Sequence, residues 1–252
     1  MSDQAIFGSG MLYAIPTKDA YGADISNPTP IGVGTLQEVS FKFGRELKEL
    51  YGSGSFPEEI ASAKQSVEGK ASFARFSADL FNAMIFGQTT GSGIYAAYSD
   101  LNGVPAAASV TVTPPNSGTF FNDLGVRDAA ADRMTRVASA PAIGQYAVNL
   151  STGVYTFNAS QTGNVYIDYA YSAASTTHKS GFMKSLDMGY MPEFELVFAS
   201  NFQGKPAFLR FFRVFAGSLD LSFKNEDFSI PSFDFKCAAN ATKNVCQMSF
   251  RS

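Results

Sequence analysis

The chain has 252 residues, enough to bury a hydrophobic core as one large or two small domains. Hydrophobic residues make up 45% of it and charged residues only 16%, and 24 Phe and 11 Tyr occur without any Trp, a balance that favours β-sheets over helical bundles. The net charge of −3, with no run of Lys or Arg, argues against a tight nucleic-acid binder, because affinity for phosphates requires a clustered basic surface.

Residues 1–32 are predicted to form an N-terminal arm, since Gly, Pro and Ser are frequent there and alternation is confined to one short strand at residues 11–15. The sequence MSDQAIFGSGMLYAIP has an early acid and no basic residue before its apolar positions. We therefore expect no secretory signal and synthesis in the cytoplasm. No apolar run in the sequence reaches transmembrane length.

Two predicted strands bracket a long connection. Val39, Phe41 and Phe43 alternate with polar residues in LQEVSFKF, and alternation resumes in SVEGKASFARF. The intervening GRELKELYGSGSFPEEIASAKQ contains two Gly in its middle followed by Pro57, and is predicted to be a loop over residues 44–65. A loop of this length in a compact domain usually has a function.

A short helix is predicted for SADLFNAMIFG. Ser77 is the expected N-cap and Gly87 the expected stop, since Gly tolerates the left-handed conformation at a helix end. The helix has an apolar stripe that should pack against the sheets, formed by Leu80, Phe81, Met84 and Ile85.

Residues 89–180 are predicted to be an inserted β-rich region. DLNG and Pro-Pro near its start are typical of a boundary, and VTVT, GQYAVNL, GVYTF and VYIDYAY supply strands with a hairpin turn at NLSTG. Residues 123–137 are interpreted as a solvated loop, with one turn of helix as the alternative. In the last strand one face should be buried, formed by Val165, Ile167, Tyr169 and Tyr171.

Residues 181–252 return to the core with the strand segments FELVFASNF, PAFLRFFRVFAG, SLDLSFKN, FSIPSFDFK and CQMSFRS. Glu193 and Glu195 alternate with apolar residues and are expected on a solvated face. PAFLRFFRVFAG is apolar on both faces, which is typical of a central strand. Arg210 and Arg213 should fall on its opposite faces, each needing a carboxylate or carbonyl partner.

Sequence patterns for catalysis and cofactor binding are missing. His178, the only histidine, has no carboxylate near it in sequence, and no phosphate-binding, dinucleotide-binding, nucleophile-elbow, zinc or calcium motif occurs. Cys237 and Cys246 could form a disulfide through a hairpin, but reduced thiols are favoured in a chain made in a reducing compartment. We therefore predict no catalytic residue, no cofactor and no metal.

Two stretches of the sequence carry a family resemblance. RELKELYGSGSFPEEIASAK followed by GKASFARFSADLFNAMIFG, and TRVASAPAIGQYAVNLSTGVYTFNASQTGNVYIDYAY, closely resemble segments of the major tail (tail tube) proteins of long-tailed, siphophage-like bacteriophages. Together they cover roughly half of the chain.

The resemblance implies two packed β-sheets with a flanking α-helix, a sandwich or barrel made from residues 33–88 and 181–252, with residues 89–180 inserted. It further implies hexameric rings whose inner strands line a channel, and stacked rings that form the tube through which DNA passes from capsid to host. The implied partners are copies of the chain, the tape measure and terminator proteins, and DNA that passes without specific binding. A virion tail location follows, with no membrane partner.

Two sets of site residues follow from this hypothesis. The loop should make the axial contact between stacked rings through Leu47, Leu50, Tyr51, Phe56, Glu58, Glu59 and Ile60. Acids on solvated strand faces should point into the channel, and the candidates are Glu38, Glu193, Glu195 and Asp220.

Two other interpretations compete with the tail tube. The first is an outer-membrane barrel, which would share the alternating aromatic-rich strands, although the missing signal and the polar SFRS terminus argue against it. The second is a carbohydrate- or receptor-binding β-sandwich protein of a virion or cell surface, in which the Tyr-rich insertion would form a platform.

Overall fold

The computed structural model describes residues 8, 10–75 and 77–250 and is mainly β, with one short helix and several sheets, none of which is closed among these residues. This confirms the predicted mainly β class. The chain divides into two units: unit 2 is Thr90–Phe182, and unit 1 combines the residues on either side of it.

The three longest strands of the described residues, with 16 or 17 residues each, belong to unit 1. The first nine are β1 (Met11–Lys18), β2 (Ile31–Gly32), β3 (Leu36–Tyr51), β4 (Pro57–Phe73), β5 (Gly91–Ser92), β6 (Ile94–Tyr98), β7 (Val104–Pro105), β8 (Val110–Thr111) and β9 (Thr119–Arg127). The others are β10 (Thr135–Arg136), β11 (Gln145–Asn149), β12 (Val154–Phe157), β13 (Asn164–Ala173), β14 (Lys179–Ser180), β15 (Glu193–Phe202), β16 (Lys205–Asp220), β17 (Ser232–Cys237) and β18 (Cys246–Ser249).

Unit 1 contains one eight-stranded antiparallel sheet, ordered β2-β1-β15-β16-β17-β4-β3, with β18 pairing part of β16. The sheet folds over on itself, because Phe41 of β3 packs its ring against Phe198 of β15 at 5.6 Å and against Phe211 of β16 at 5.1 Å. The core of unit 1 therefore lies inside one folded sheet, whereas two separate packed sheets were expected.

The segment predicted as an N-terminal arm contributes to this sheet. Strand β1 pairs with β15 along its whole length and with β2, and Leu12 and Ala14 are fully buried. The short strand predicted at residues 11–15 is thus present and longer than expected. Residues 11–18 of the predicted arm are part of the sheet. Residues 1–7 lie outside the described residues.

The long loop predicted over residues 44–65 is wrong, since these residues continue β3 and β4 as a hairpin. Pairing extends from Gly44 opposite Ser66 to Tyr51 opposite Pro57, and only residues 52–56 form the turn. Backbone hydrogen bonds to the partner strand hold this part extended. Its side chains are almost all exposed, so they lack the buried, alternating apolar face by which a strand is recognised in sequence.

The predicted helix is present as one α-helical turn, α1 (Ala78–Phe81), that continues as a π-helix over Asn82–Phe86. Gly87 ends it in the left-handed conformation, with φ of 56°, as predicted. Ser77 occupies the N-cap position as predicted, but its side chain makes no capping hydrogen bond. Leu80 and Met84 are buried as expected, while the other two stripe residues, Phe81 and Ile85, are half-buried.

Unit 2 is built from small sheets that share one core. One has the order β10-β11-β12-β8, another the order β6-β13-β7 with β9 also pairing β13, and β5 pairs β14. The predicted strands are all present, and the predicted face of β13 is buried. The loop predicted at residues 123–137 is partly wrong, because β9 extends to Arg127.

Candidate assembly surface

The outer half of the β3–β4 hairpin projects from unit 1. Every residue from 45 to 66 is exposed except Pro57, which is half-buried. Eight residues of β3, from Gly44 to Tyr51, lie in this part, and at about 3.3 Å per residue they extend about 25 Å. The hairpin is therefore an extended arm whose backbone is paired internally and whose side chains meet solvent.

The hairpin has two chemically different faces, because β3 alternates regularly from Glu38 to Tyr51. We call them the odd face and the even face, after the β3 residue numbers. On the even face Lys48 forms an ion pair with Glu46 at 2.7 Å, and Leu50 lies opposite Glu59. The odd face is mostly apolar, and its β3 side chains Phe43, Leu47 and Tyr51 are 58%, 55% and 55% exposed. Ile60 of β4, which pairs with Glu49 of β3, lies on the same face and is 57% exposed.

The odd face continues the core face of the sheet beyond the core. Val39 and Phe41, on the same side of β3, pack against the buried cluster of unit 1. Further along the strand, apolar side chains still occur on this face but the core no longer covers them, since Phe43, Leu47 and Tyr51 are all more than half exposed. Arg45 and Glu49 lie between them on the same face, but several large exposed apolar side chains on one face are typical of an interaction site.

The predicted axial-contact residues all lie in this hairpin but divide between its faces. Leu47, Tyr51 and Ile60 are on the odd face, whereas Leu50 and Glu59 are on the even face. Phe56 is 83% exposed in the turn, and the Glu58 carboxylate lies directly beside Gly52. Their role as a ring contact stays a prediction.

One hydrogen bond orders the end of the odd face. The Tyr51 hydroxyl donates to Glu49, two residues earlier on the same side of β3, and this bond raises the pKa of Tyr51. The bond links the last two odd-face residues of β3.

The four predicted channel acids have different environments. Glu38 and Asp220 are exposed, and their place in a channel stays a prediction. Glu193 is only 6% exposed and accepts from Arg213 Nη2 at 2.7 Å, and the Glu195 carboxylate accepts two hydrogen bonds from Arg210, at 2.6 and 3.0 Å. The expectation of a solvated face for Glu193 and Glu195 is therefore wrong.

A β-bulge explains these ion pairs. Leu196 pairs with Phe211 and Phe194 with Val214, so two residues of β16, Phe212 and Arg213, oppose Glu195. The extra residue brings Arg213 to the same side of the sheet as Arg210, whereas strict alternation predicts opposite sides. The carboxylate partners that each arginine needs come from β15 of the same chain.

The hairpin also leaves a sheet edge open. Strand β3 is last in its sheet and pairs with β4 alone, so the other edge of residues 37–51 has no strand partner among the described residues. An open edge offers a row of backbone donors and acceptors to a strand of another chain. Sequence analysis missed its length because the loop prediction ended the strand at Phe43.

Other chemistry is sparse in the part of the chain that the structure describes. His178 is exposed, with Ser175 Oγ at 2.8 Å from its Nδ1. No group of three or more His, Cys, Asp or Glu side chains there could hold a metal ion. None of the helices in the described residues is long and apolar enough to cross a membrane.

Comparison with known proteins gives no assignment for this chain. No protein-family model matches it, and no curated protein matches it. The projecting hairpin, the open edge of β3 and the sequence resemblance are therefore the observations from which a function can be inferred.

Proposed function

We propose that the chain is the tail tube subunit of a long-tailed bacteriophage, and that it polymerises as stacked, hexameric rings that conduct DNA into the host. The observation that carries this proposal is the apolar odd face of the projecting hairpin, together with the open edge of β3 beside it. The subunit thus presents an apolar hairpin face that a second copy can bury and a sheet edge to which another strand can pair. The resemblance of the hairpin and helix segments to tail tube proteins supports the same role.

Repeated use of one contact would build the tube. In this proposal the hairpin of one copy docks on a different part of the next copy, so contacts between copies would be head-to-tail, and such contacts close into rings or continue as filaments. Each odd-face side chain is already about half covered, so burying the rest contributes about 1–1.5 kcal/mol per residue. Four residues then give about 4–6 kcal/mol per contact, which repetition around a ring multiplies.

A second surface suits a channel for DNA. The outward face of β3, β4 and β17 carries as many acids as lysines, so it offers no net positive charge to phosphates. Its charged residues alternate across the three strands and are Glu38, Lys42, Glu68, Lys70, Asp234 and Lys236. DNA would pass such a wall without specific binding. We propose this face, with Glu38, as the channel lining, and Asp220 as an acid near it.

Charge introduced on the odd face of the hairpin tests the proposal. Purified wild-type protein should form rings or tubes in negative-stain electron microscopy. Replacing Leu47→Lys and Ile60→Lys together changes an exposed surface and leaves the core intact, so tubes should fail to grow while the circular dichroism spectrum stays β-type and unchanged. Tubes of normal length from this variant would contradict the hairpin contact. Monomers alone from concentrated wild-type protein would contradict the tube.

A further inference from the structure

The outward face of one sheet in unit 2 is shaped by two β-bulges. Pairing between β9 and β13 skips Leu124 between the pairs Asp168–Gly125 and Tyr169–Asp123, and it skips Phe121 in the same way three residues earlier. Each bulge turns one additional side chain outward. Phe121, Asn122 and Leu124 therefore share the outward face, whereas Phe120, Asp123 and Val126 point into the core. Bulges of this kind commonly re-aim side chains at binding sites.

Two large aromatic rings stand exposed at one end of this face. Tyr95 of β6 and Phe121 of β9 are 55% and 57% exposed, and their ring centroids lie 5.5 Å apart across β13. Small residues adjoin them, since Ala97 and Ala170 are paired neighbours on the same face. The two rings meet edge to face, with 65° between their planes, and small side chains border them.

A fixed polar group lies further along the same face. Asp168 Oδ1 accepts hydrogen bonds from Ser99 Oγ and the Asp100 amide, both at 3.0 Å, and from Arg127 Nη2 at 3.3 Å. All three bonds use Oδ1, which leaves Oδ2 for a donor from a ligand. The Arg127 guanidinium also lies over the Tyr166 ring, 5.7 Å from its centroid, so the group is pre-organised.

We propose that this face of unit 2 binds a neutral polysaccharide. The apolar CH faces of two successive sugar units would pack against Tyr95 and Phe121, whose ring planes differ by 65°, and sugar hydroxyls would bond to Asp168 Oδ2 and Asn122. The distance along β13 from Tyr166 to Ser172 is about 20 Å, enough for an oligosaccharide to lie lengthwise. The proposal is independent of tube assembly, because none of these residues belongs to the hairpin.

The charge and composition of this face favour a neutral sugar chain over a nucleic acid or a protein. Arg127 and Asp168 form an ion pair and cancel each other, so the face lacks the basic groove with which aromatic platforms bind single-stranded nucleic acid. The centre of the face is small and polar, whereas protein interfaces concentrate large apolar or aromatic residues at their centre. A sugar chain, with apolar ring faces and many hydroxyls, matches both properties.

Affinity gel electrophoresis of the full chain tests this proposal. Native gels would contain dextran, mannan, arabinogalactan, xylan or soluble starch, with dextran sulfate as an anionic comparison. At least one neutral polysaccharide should retard the wild-type protein. The double variant Tyr95→Ala/Phe121→Ala should bind it about tenfold more weakly, since two stacking rings are lost. The control is Phe228→Ala, which removes a ring that is 90% exposed in unit 1 and should change nothing.

Three results would overturn the proposal. The first is no retardation by any of the neutral polysaccharides. The second is equal retardation of the wild type and the double variant when circular dichroism shows both to be folded. The third is retardation by dextran sulfate alone that disappears on adding salt, which would indicate anion binding.

Discussion

The odd face of the hairpin makes the most quantitative prediction. We consider the double variant Leu47→Ser/Ile60→Ser, which removes two apolar side chains that are 55% and 57% exposed in the isolated subunit. Full burial of a Leu or Ile side chain contributes about 1.5–3 kcal/mol, so covering the exposed half of both in a subunit contact contributes about 2–3 kcal/mol. Losing it should weaken each contact about 30- to 150-fold.

The assay is the critical concentration for assembly, measured by pelleting polymer from a dilution series. The matched control is Leu50→Ser, which removes a leucine that is 62% exposed on the even face of the same strand. Leu47→Ser alone should raise the critical concentration about 5- to 12-fold, and Leu50→Ser should leave it nearly unchanged. Equal effects of Leu47→Ser and Leu50→Ser would refute the assignment of the contact to the odd face. Thermal unfolding of the unassembled variants should match the wild type.

Three further predictions concern stability and reactivity. Arg213→Met should cost about 2 kcal/mol in thermal unfolding, because it leaves the buried Glu193 carboxylate without its ion pair, and less than for a fully buried pair because Arg213 is 37% exposed; an unchanged melting temperature would contradict this. Gly69→Ala should cost about 1–3 kcal/mol in thermal unfolding, because its Cβ would lie 2.4 Å from both Ser40 O and a Phe235 ring carbon, whereas Gly54→Ala meets no atom within 4 Å and should be neutral. Burial raises the pKa of Cys237 to about 12, so iodoacetamide should modify it slowly at pH 8 until urea unfolds the chain; rapid native labelling would contradict the burial.

The strands of the two cores were predictable where one face is buried. β13 is the clearest case, since Val165, Ile167 and Tyr169 alternate with half-buried residues and all face the core. The hairpin beyond Phe43 was not predictable as strand. Arg45 and Glu49 on the odd face and Leu50 on the even face interrupt the hydrophobic alternation, and the Gly and Pro of the turn favour a loop.

β-Bulges explain the wrong predictions for β9 and β16, because one extra residue moves the side chains that follow it to the opposite face of the sheet. In β9 two bulges place the core-facing residues Phe120, Asp123 and Val126 at intervals of three, a spacing that imitates a helical turn. In β16 one bulge moves Arg213 to the side of Arg210.

The candidate assembly residues were correctly grouped by sequence position, but their faces were not predictable. Whether Leu47 and Leu50 lie on one surface depends on the strand pairing of residues that had been expected to form a loop. The buried environment of Glu193 was hidden for a related reason, since its partner arginine is 20 residues away and reaches it only through the bulge.

The most direct test of the tail tube proposal is a cryo-electron microscopy reconstruction of the polymer formed by the wild-type chain. We predict stacked rings around an open channel, with Phe43, Leu47, Tyr51 and Ile60 of each hairpin buried against another subunit and the charge-balanced face of β3, β4 and β17 towards the channel. A polymer without a channel, or rings in which the odd face of the hairpin remains exposed to solvent, would contradict this account.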